Sequence, residues 1–441
     1  MIKQYFKQAW QLLKENKLYS SIYIIGTAMS ITMIMLVAVF LYLKRGNIYP
    51  EEHRNRMLYV GAAEIYPKDT TKNAMAASNL SLQTVKQVFY PLQSAGAISA
   101  KMNVYGEENM AGIPNSTAQI PVTPKYVDTN YWKVFQFRFT EGKPFTEEEF
   151  SSGIHSVVIA ESLSQQLFGD GSAVGKYISL NEQEYRVTGV VKAVSVILSN
   201  TYADIWIPFT TLPNHTETFA AEGILGPYSV YILARSSKDF QTIRQEIQNN
   251  INRYEASFTW TMNLLGQPDN AITHAFRKGN MPLDMNKIKR IFVLLLLVFM
   301  LVPILNLSGL NSSRMEKRMG ELGVRKAFGA SSTTLIQQVF VENLMLTVLG
   351  GVMGLTVSYI IIVLSKQWLV PSSIFFSMSY PSAQIGHSVG ITTQMLFNME
   401  MFVWVFTGIL LVNVLSAIVP AYRFSKREII HSLYDNDNYK Y

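Results

Sequence analysis

The chain has no cysteine among its 441 residues, and only 16% of them are charged. Without cysteine there is no disulfide framework, thiol nucleophile, Cys-ligated zinc or lipid-modified cysteine. The charged fraction lies well under the roughly 25% of ordinary soluble domains, and the shortfall is local. Four stretches, Leu18–Leu43, Ile291–Leu310, Asn343–Ser365 and Met401–Tyr422, contain no Lys, Arg, Asp or Glu. Each is long enough to cross a bilayer, which takes about 20 apolar residues. Buried helices of a soluble core seldom stay uncharged for so long. The first stretch is also too long for a signal-peptide core, and no small-residue cleavage site follows it, so it is expected to stay as an anchor.

What charge there is orients the chain. Residues 1–17 hold Lys3, Lys7, Lys14 and Lys17 against Glu15, and Ile2, Tyr5, Phe6, Ala9 and Leu13 share one helical face. That describes an interfacial helix leading into the first span, 18–43. The link 311–342 holds Arg314, Lys317, Arg318, Arg325 and Lys326 against Glu316, Glu321 and Glu342. The tail 423–441 is net +1, whereas residues 367–399 carry no charge at all. The positive-inside rule therefore predicts both termini and the link in the cytoplasm, and residues 44–290 and 366–400 outside it. The outward region 44–290 has 24 basic and 23 acidic residues. The net charge of +7 thus reports topology, and no folded basic face is available to bind nucleic acid.

The region 44–290 reads as mixed α+β. His155–Ala160 predicts a buried strand, and Glu161–Phe168 a short helix ending at Gly169. Lys176–Leu180 predicts a strand paired through Asn181 and Glu182 with Glu184–Val191. Ser229–Ala234 is another strand, and Phe240, Ile243, Ile247 and Ile251 mark one face of a helix. The chemistry of an enzyme is missing from the pattern. Only three residues separate Gly171 from Gly175, and Tyr177 follows Lys176, so this glycine-rich turn is no phosphate loop. The six histidines are scattered, with no H-E-x-x-H pair, and no G-x-S-x-G elbow occurs. No catalytic, cofactor or metal residue is therefore assigned.

In the link, Met315, Met319 and Leu322 recur at helical spacing, with charges on the other faces. A short amphipathic helix along the membrane surface is expected, closed by Gly329. A second helix is expected from Thr334, capped by the preceding serines and threonines, to Ser365. At about 48 Å it exceeds a hydrocarbon core of roughly 30 Å, so its first turns should project into the cytoplasm. Gly350, Gly354 and Ser358 lie four residues apart on one face, a spacing that lets two helices approach closely.

Over nearly its full length the chain resembles the permeases of the MacB/FtsX-like, mechanotransmission class of ABC transporters. The likeness is carried by E-x-G-x-R-K-A-x-G-A at Glu321, Gly323, Arg325, Lys326, Ala327, Gly329 and Ala330, and by Gly350, Gly351 and Gly354. It is carried also by residues 157–191 and by Pro420-Ala421-Tyr422-Arg423. The resemblance implies a membrane protein with four transmembrane helices (18–43, 291–310, 334–365 and 401–422) and a large extracytoplasmic domain. It also implies that 311–333 is a coupling helix, with Arg314, Arg318, Glu321, Gly323, Arg325, Lys326 and Gly329 contacting a cytoplasmic ATPase. The sequence holds no Walker A loop, so ATP and magnesium are expected on a separate ATPase subunit, alongside a second permease chain. A membrane-fusion protein and an outer-membrane channel are further candidate partners, and the bacterial inner membrane is the expected location. Export or extraction of peptide, lipid, lipoprotein or drug-like cargo is the leading expectation. The alternative is FtsX-like regulation of a cell-wall hydrolase or sensor.

Overall fold

The computed structural model describes residues 10–11, 14, 17–104, 108–277, 279–281, 283–299, 301, 332–369 and 400–411. Two compact units are distinguished, one helical and one of mixed strands and helices over Leu41–Asp284.

In the mixed unit, apolar strands assemble into one connected sheet. Its centre pairs Tyr228–Ala234 antiparallel with Ala95–Met102 on one side and with Met57–Val60 on the other. Two parallel pairings make the sheet mixed: Gln183–Val191 with Ser156–Ala160, and Ile205–Pro208 with Pro124–Val127. Ser156–Ala160 and Ile205–Pro208 are buried throughout, which is why they read as continuous rather than alternating apolar runs. The expected hairpin is present: Tyr177 pairs with Arg186 and Leu180 with Gln183. Asn181 and Glu182 both take positive φ, 48° and 70°, as a tight two-residue hairpin turn requires. The helix Glu161–Phe168 ends at Gly169, whose φ of 61° is open to a residue without Cβ.

Ile243, Ile247 and Ile251 of the helix Phe240–Tyr254 join Val85, Val88 and Phe89 in the main core. Asn250, also buried on that helix, donates from Nδ2 to the Val88 carbonyl at 2.8 Å. The core is thus closed by a polar contact that fixes the helix's register as well as by apolar area.

Among the described residues, two helices are long and apolar enough to cross a membrane, Ser20–Arg45 (26 residues) and Phe340–Leu364 (25 residues). They are parts of the longer helices Lys17–Arg45 and Ser332–Leu369. The second runs past the expected Thr334 and Ser365 at both ends. A further helix covers 285–299, beginning ahead of the apolar run, and a shorter apolar one covers Glu400–Leu411. Leu18, Ile22, Ile25, Met29 and Met33 form an exposed stripe on the first helix, while Tyr23, Thr27, Ala28 and Ile31 on the same helix are buried. An apolar face left bare along a helix is the reverse of a soluble protein's pattern and suits a lipid environment.

Candidate functional site where the first long helix enters the mixed domain

The last turn of the helix Lys17–Arg45 belongs to the mixed unit, and a buried ion pair holds it there. A helix leaves its final carbonyls without intrahelical donors. Arg54 supplies them: its Nη1 donates to the Leu43 carbonyl at 2.9 Å and to the Gly46 carbonyl at 3.3 Å. Arg54 Nε donates to Glu51 Oε2 at 2.7 Å, and Glu51 Oε1 accepts from Thr201 Oγ1 at 2.8 Å. Glu51 is 1% and Arg54 6% exposed, so each charge depends on the other and on these hydrogen bonds.

The wall opposite is a half-buried turn at Ser199 and Asn200. Lys125 Nζ donates to the carbonyls of Ser199 (2.9 Å) and Asn200 (2.7 Å), and the Tyr131 hydroxyl donates to Asn200 as well. His274 Nε2 lies 3.1 Å from Asn200 Oδ1, and its ring stacks on Tyr59 at 4.2 Å and 5°. Asp269 and Arg277 form a second buried pair, with Nε donating to Oδ2 and Nη2 to Oδ1 from one guanidinium edge. Asp128 accepts from Ser99, Tyr90 and the backbone of Ala100 and Tyr131. Around these groups, Leu43, Glu51, Arg54, Tyr59, Asn200 and His274 help line an open pocket.

Burial governs the titration of these groups. It pushes the Lys101 ammonium down to about 8, and Lys125 well below the usual lysine range. It raises Asp128 to about 6 against the pull of its four donors. It lowers His274 to about 4, with Asp269 and Glu51 acting in the opposite direction. A histidine whose folded pKa is depressed contributes stability that is present above its unfolded value, about 6.5, and lost as pH falls through its folded value. The wild-type melting temperature, followed by tryptophan fluorescence, is therefore expected to fall faster between pH 6.5 and 4 than that of His274→Phe. Parallel curves would remove His274 as the cause.

In the helical unit, Gly350, Gly354 and Ser358 line one face of the helix Ser332–Leu369. A Cβ at Gly350 would stand 2.9 Å from Thr27 Cβ, and one at Gly354 would stand 2.7 Å from the Ala28 carbonyl oxygen. Thr32 Oγ1 donates to the Gly354 carbonyl at 3.1 Å, and the Tyr23 and Thr347 hydroxyls lie 3.4 Å apart. Ser358 is fully buried, with its hydroxyl donating to the Leu355 carbonyl at 2.8 Å. Arg314, Arg318, Glu321, Gly323, Arg325, Lys326 and Gly329 lie outside the described residues. Sequence reasoning did not find the Glu51–Arg54 pair or its neighbours. The signal available was a charge inside an apolar strand, as Lys125 is in Pro124–Val127.

A mixed α/β domain entered from one long apolar helix, with further apolar helices after it, defines a domain carried on a membrane-type helical unit. The MacB-like periplasmic core domain family matches residues 20–250, more than half of the chain, and the FtsX-like permease C-terminal family matches residues 293–429. The chain belongs to the MacB/FtsX-like ABC transporter permeases. It is 21% identical over 243 residues to the ABC transporter permease YknZ of Bacillus subtilis (strain 168), covering 53% of this chain and 55% of that one. It is 20% identical over 380 residues to the macrolide export ATP-binding/permease protein MacB of Escherichia coli (strain K12), covering 84% and 54%. The chain spans about half the length of the curated relatives it matches. Among solved structures, the extracellular domain of YknZ matches with TM-score 0.33 and 18% identity, over 46% of this chain and 99% of that one. The periplasmic region of MacB from Actinobacillus actinomycetemcomitans matches with TM-score 0.32 and 13% identity, over 46% and 87%.

Proposed function

We propose that this chain is the permease subunit of an ABC transporter and passes ATP-driven motion from a separate ATPase to its mixed domain outside the cytoplasm. The observation that carries the reading is the presence of both family segments in one chain, in the order core domain then FtsX-like helices. The clamp of Arg54 on the Leu43 carbonyl supports it, because a helix fastened at its last turn passes a tilt to what it is fastened to. The chain has four spans in the bacterial inner membrane, both termini in the cytoplasm, and residues 44–290 outside. Arg314, Arg318, Glu321, Gly323, Arg325, Lys326 and Gly329 form the ATPase contact. Gly350, Gly354 and Ser358 let the third span pack closely against the first. ATP and magnesium are bound by the ATPase, this chain performs no catalysis, and two permease chains serve two ATPases. The cargo class is peptide, lipid, lipoprotein or drug-like, handled outside the membrane.

Affinity-tagged chain purified in mild detergent is expected to bring down an ATPase. The double variant Glu321→Lys/Arg325→Glu is expected to return the stimulated ATPase rate to its basal value while membrane insertion persists. Unchanged stimulation would mean that the link serves only as a topology anchor. Cargo export by the reconstituted complex separates a transporter from an FtsX-like regulator of a cell-wall hydrolase.

A further inference from the structure

The pocket beside the Glu51–Arg54 pair holds about 470 Å³ of empty space, counting its open mouth. Its charged lining is two cations, Lys44 and Arg54, against one carboxylate, Glu51. The carboxylate is already engaged on both oxygens by Arg54 and Thr201. His274 adds no charge near pH 7, because burial keeps its imidazole neutral. The balance around the pocket is therefore positive.

Two donors on residues that line this space make no hydrogen bond among the described residues. Arg54 uses Nε and Nη1, while Nη2 makes no hydrogen bond among the described residues. The Tyr59 side chain lines the pocket and is 2% exposed as a residue, yet its hydroxyl has no hydrogen-bond partner among the described residues. Burial, with Glu51 nearby, raises the phenol's pKa, so it remains a donor at every relevant pH. A guanidinium edge, a phenol and an ammonium together match the oxygens of a phosphate better than they match any cation or apolar group.

Location narrows the source. Lys44 and Arg45 close the apolar helix Ser20–Arg45, which is about 39 Å long against a hydrocarbon core of roughly 30 Å. Its last turns therefore stand at headgroup depth, where lipid phosphate is the concentrated anion. We propose that the pocket formed by Lys44, Arg54 and Tyr59 binds the phosphate ester of an anionic lipid headgroup at the membrane surface. The proposal rests on reading that helix as a span, and not on coupling to an ATPase.

The test titrates dihexanoyl-phosphatidylglycerol, and separately inorganic phosphate, into the full chain in a neutral maltoside detergent, followed by calorimetry. Saturable binding of the lipid is expected, weakened about tenfold by Tyr59→Phe and by Lys44→Gln, as loss of one charge-assisted hydrogen bond predicts. Tyr59→Phe keeps the ring that stacks on His274, and Lys44→Gln keeps a long helix-forming side chain in the last turn, so one folded variant suffices. If inorganic phosphate binds with the same losses and excludes the lipid, the phosphate site stands and its source is soluble. Binding by neither probe, or equal binding by wild type and both folded variants, overturns the proposal. Either failure leaves co-purification with an ATPase unaffected, so the permease reading is judged separately.

Discussion

Arg54→Ala is expected to lower the unfolding free energy of the mixed domain by about 3–5 kcal/mol, the usual cost of stranding one member of a buried pair. For a unit of this size that is roughly 10 °C in melting temperature. Three consequences add up in one substitution. Glu51, 1% exposed, loses its counter-charge; the Leu43 and Gly46 carbonyls lose their donor; and the last turn of the first helix loses its attachment. Arg54→Lys is expected to recover little, because an ammonium cannot serve Glu51 and two carbonyls from one plane. The double variant Glu51→Gln/Arg54→Met is expected to melt closer to wild type than Arg54→Ala does, since no lone charge remains. Thermal unfolding of the full chain in detergent, read by the fluorescence of the fully buried Trp206, decides this. A loss below about 1 kcal/mol for Arg54→Ala would mean that the pair is solvated and the clamp is absent.

Gly354→Leu is the second large effect. Even a Cβ at this position would lie 2.7 Å from the Ala28 carbonyl oxygen and 2.8 Å from Ile31 Cβ. The obstacle is backbone and a branched side chain near its root, neither of which can swing aside. Overpacking of this kind costs about 1–3 kcal/mol, and here it also disrupts the hydrogen bond from Thr32 to the Gly354 carbonyl. Loss of detergent stability is expected, with Gly354→Ala intermediate. Gly408→Leu is the control, since a Cβ at Gly408 meets nothing within 4 Å. If the two leucine variants are equally stable, the helices do not depend on close approach at Gly354.

Both substitutions test features with different visibility in the sequence. The hairpin at Asn181 and Glu182 was legible because alternation and turn chemistry are local. The stripe of Ile243, Ile247 and Ile251 was legible because helical periodicity is local too. The four-residue spacing of Gly350, Gly354 and Ser358 marked a face, but the residues across from it, Thr27, Ala28 and Ile31, lie more than 300 positions away. His274 read as one of six scattered histidines. Its stacking on Tyr59 and its contact with Asn200 join three distant segments.

The sequence alone determined where the chain is apolar enough to leave water, which runs become strands and helices, and which family it belongs to. Those properties follow from neighbours a few residues apart and from the order of segments. Only the tertiary structure decided which charges become buried and who partners them. Glu51 meets Thr201 across 150 positions, and Lys125 meets the turn at Ser199 and Asn200 across more than 70. A charged residue in a sequence carries no mark of burial until another element closes over it. That closure turns Arg54 from one basic residue among 38 Lys and Arg into the fastening of a helix.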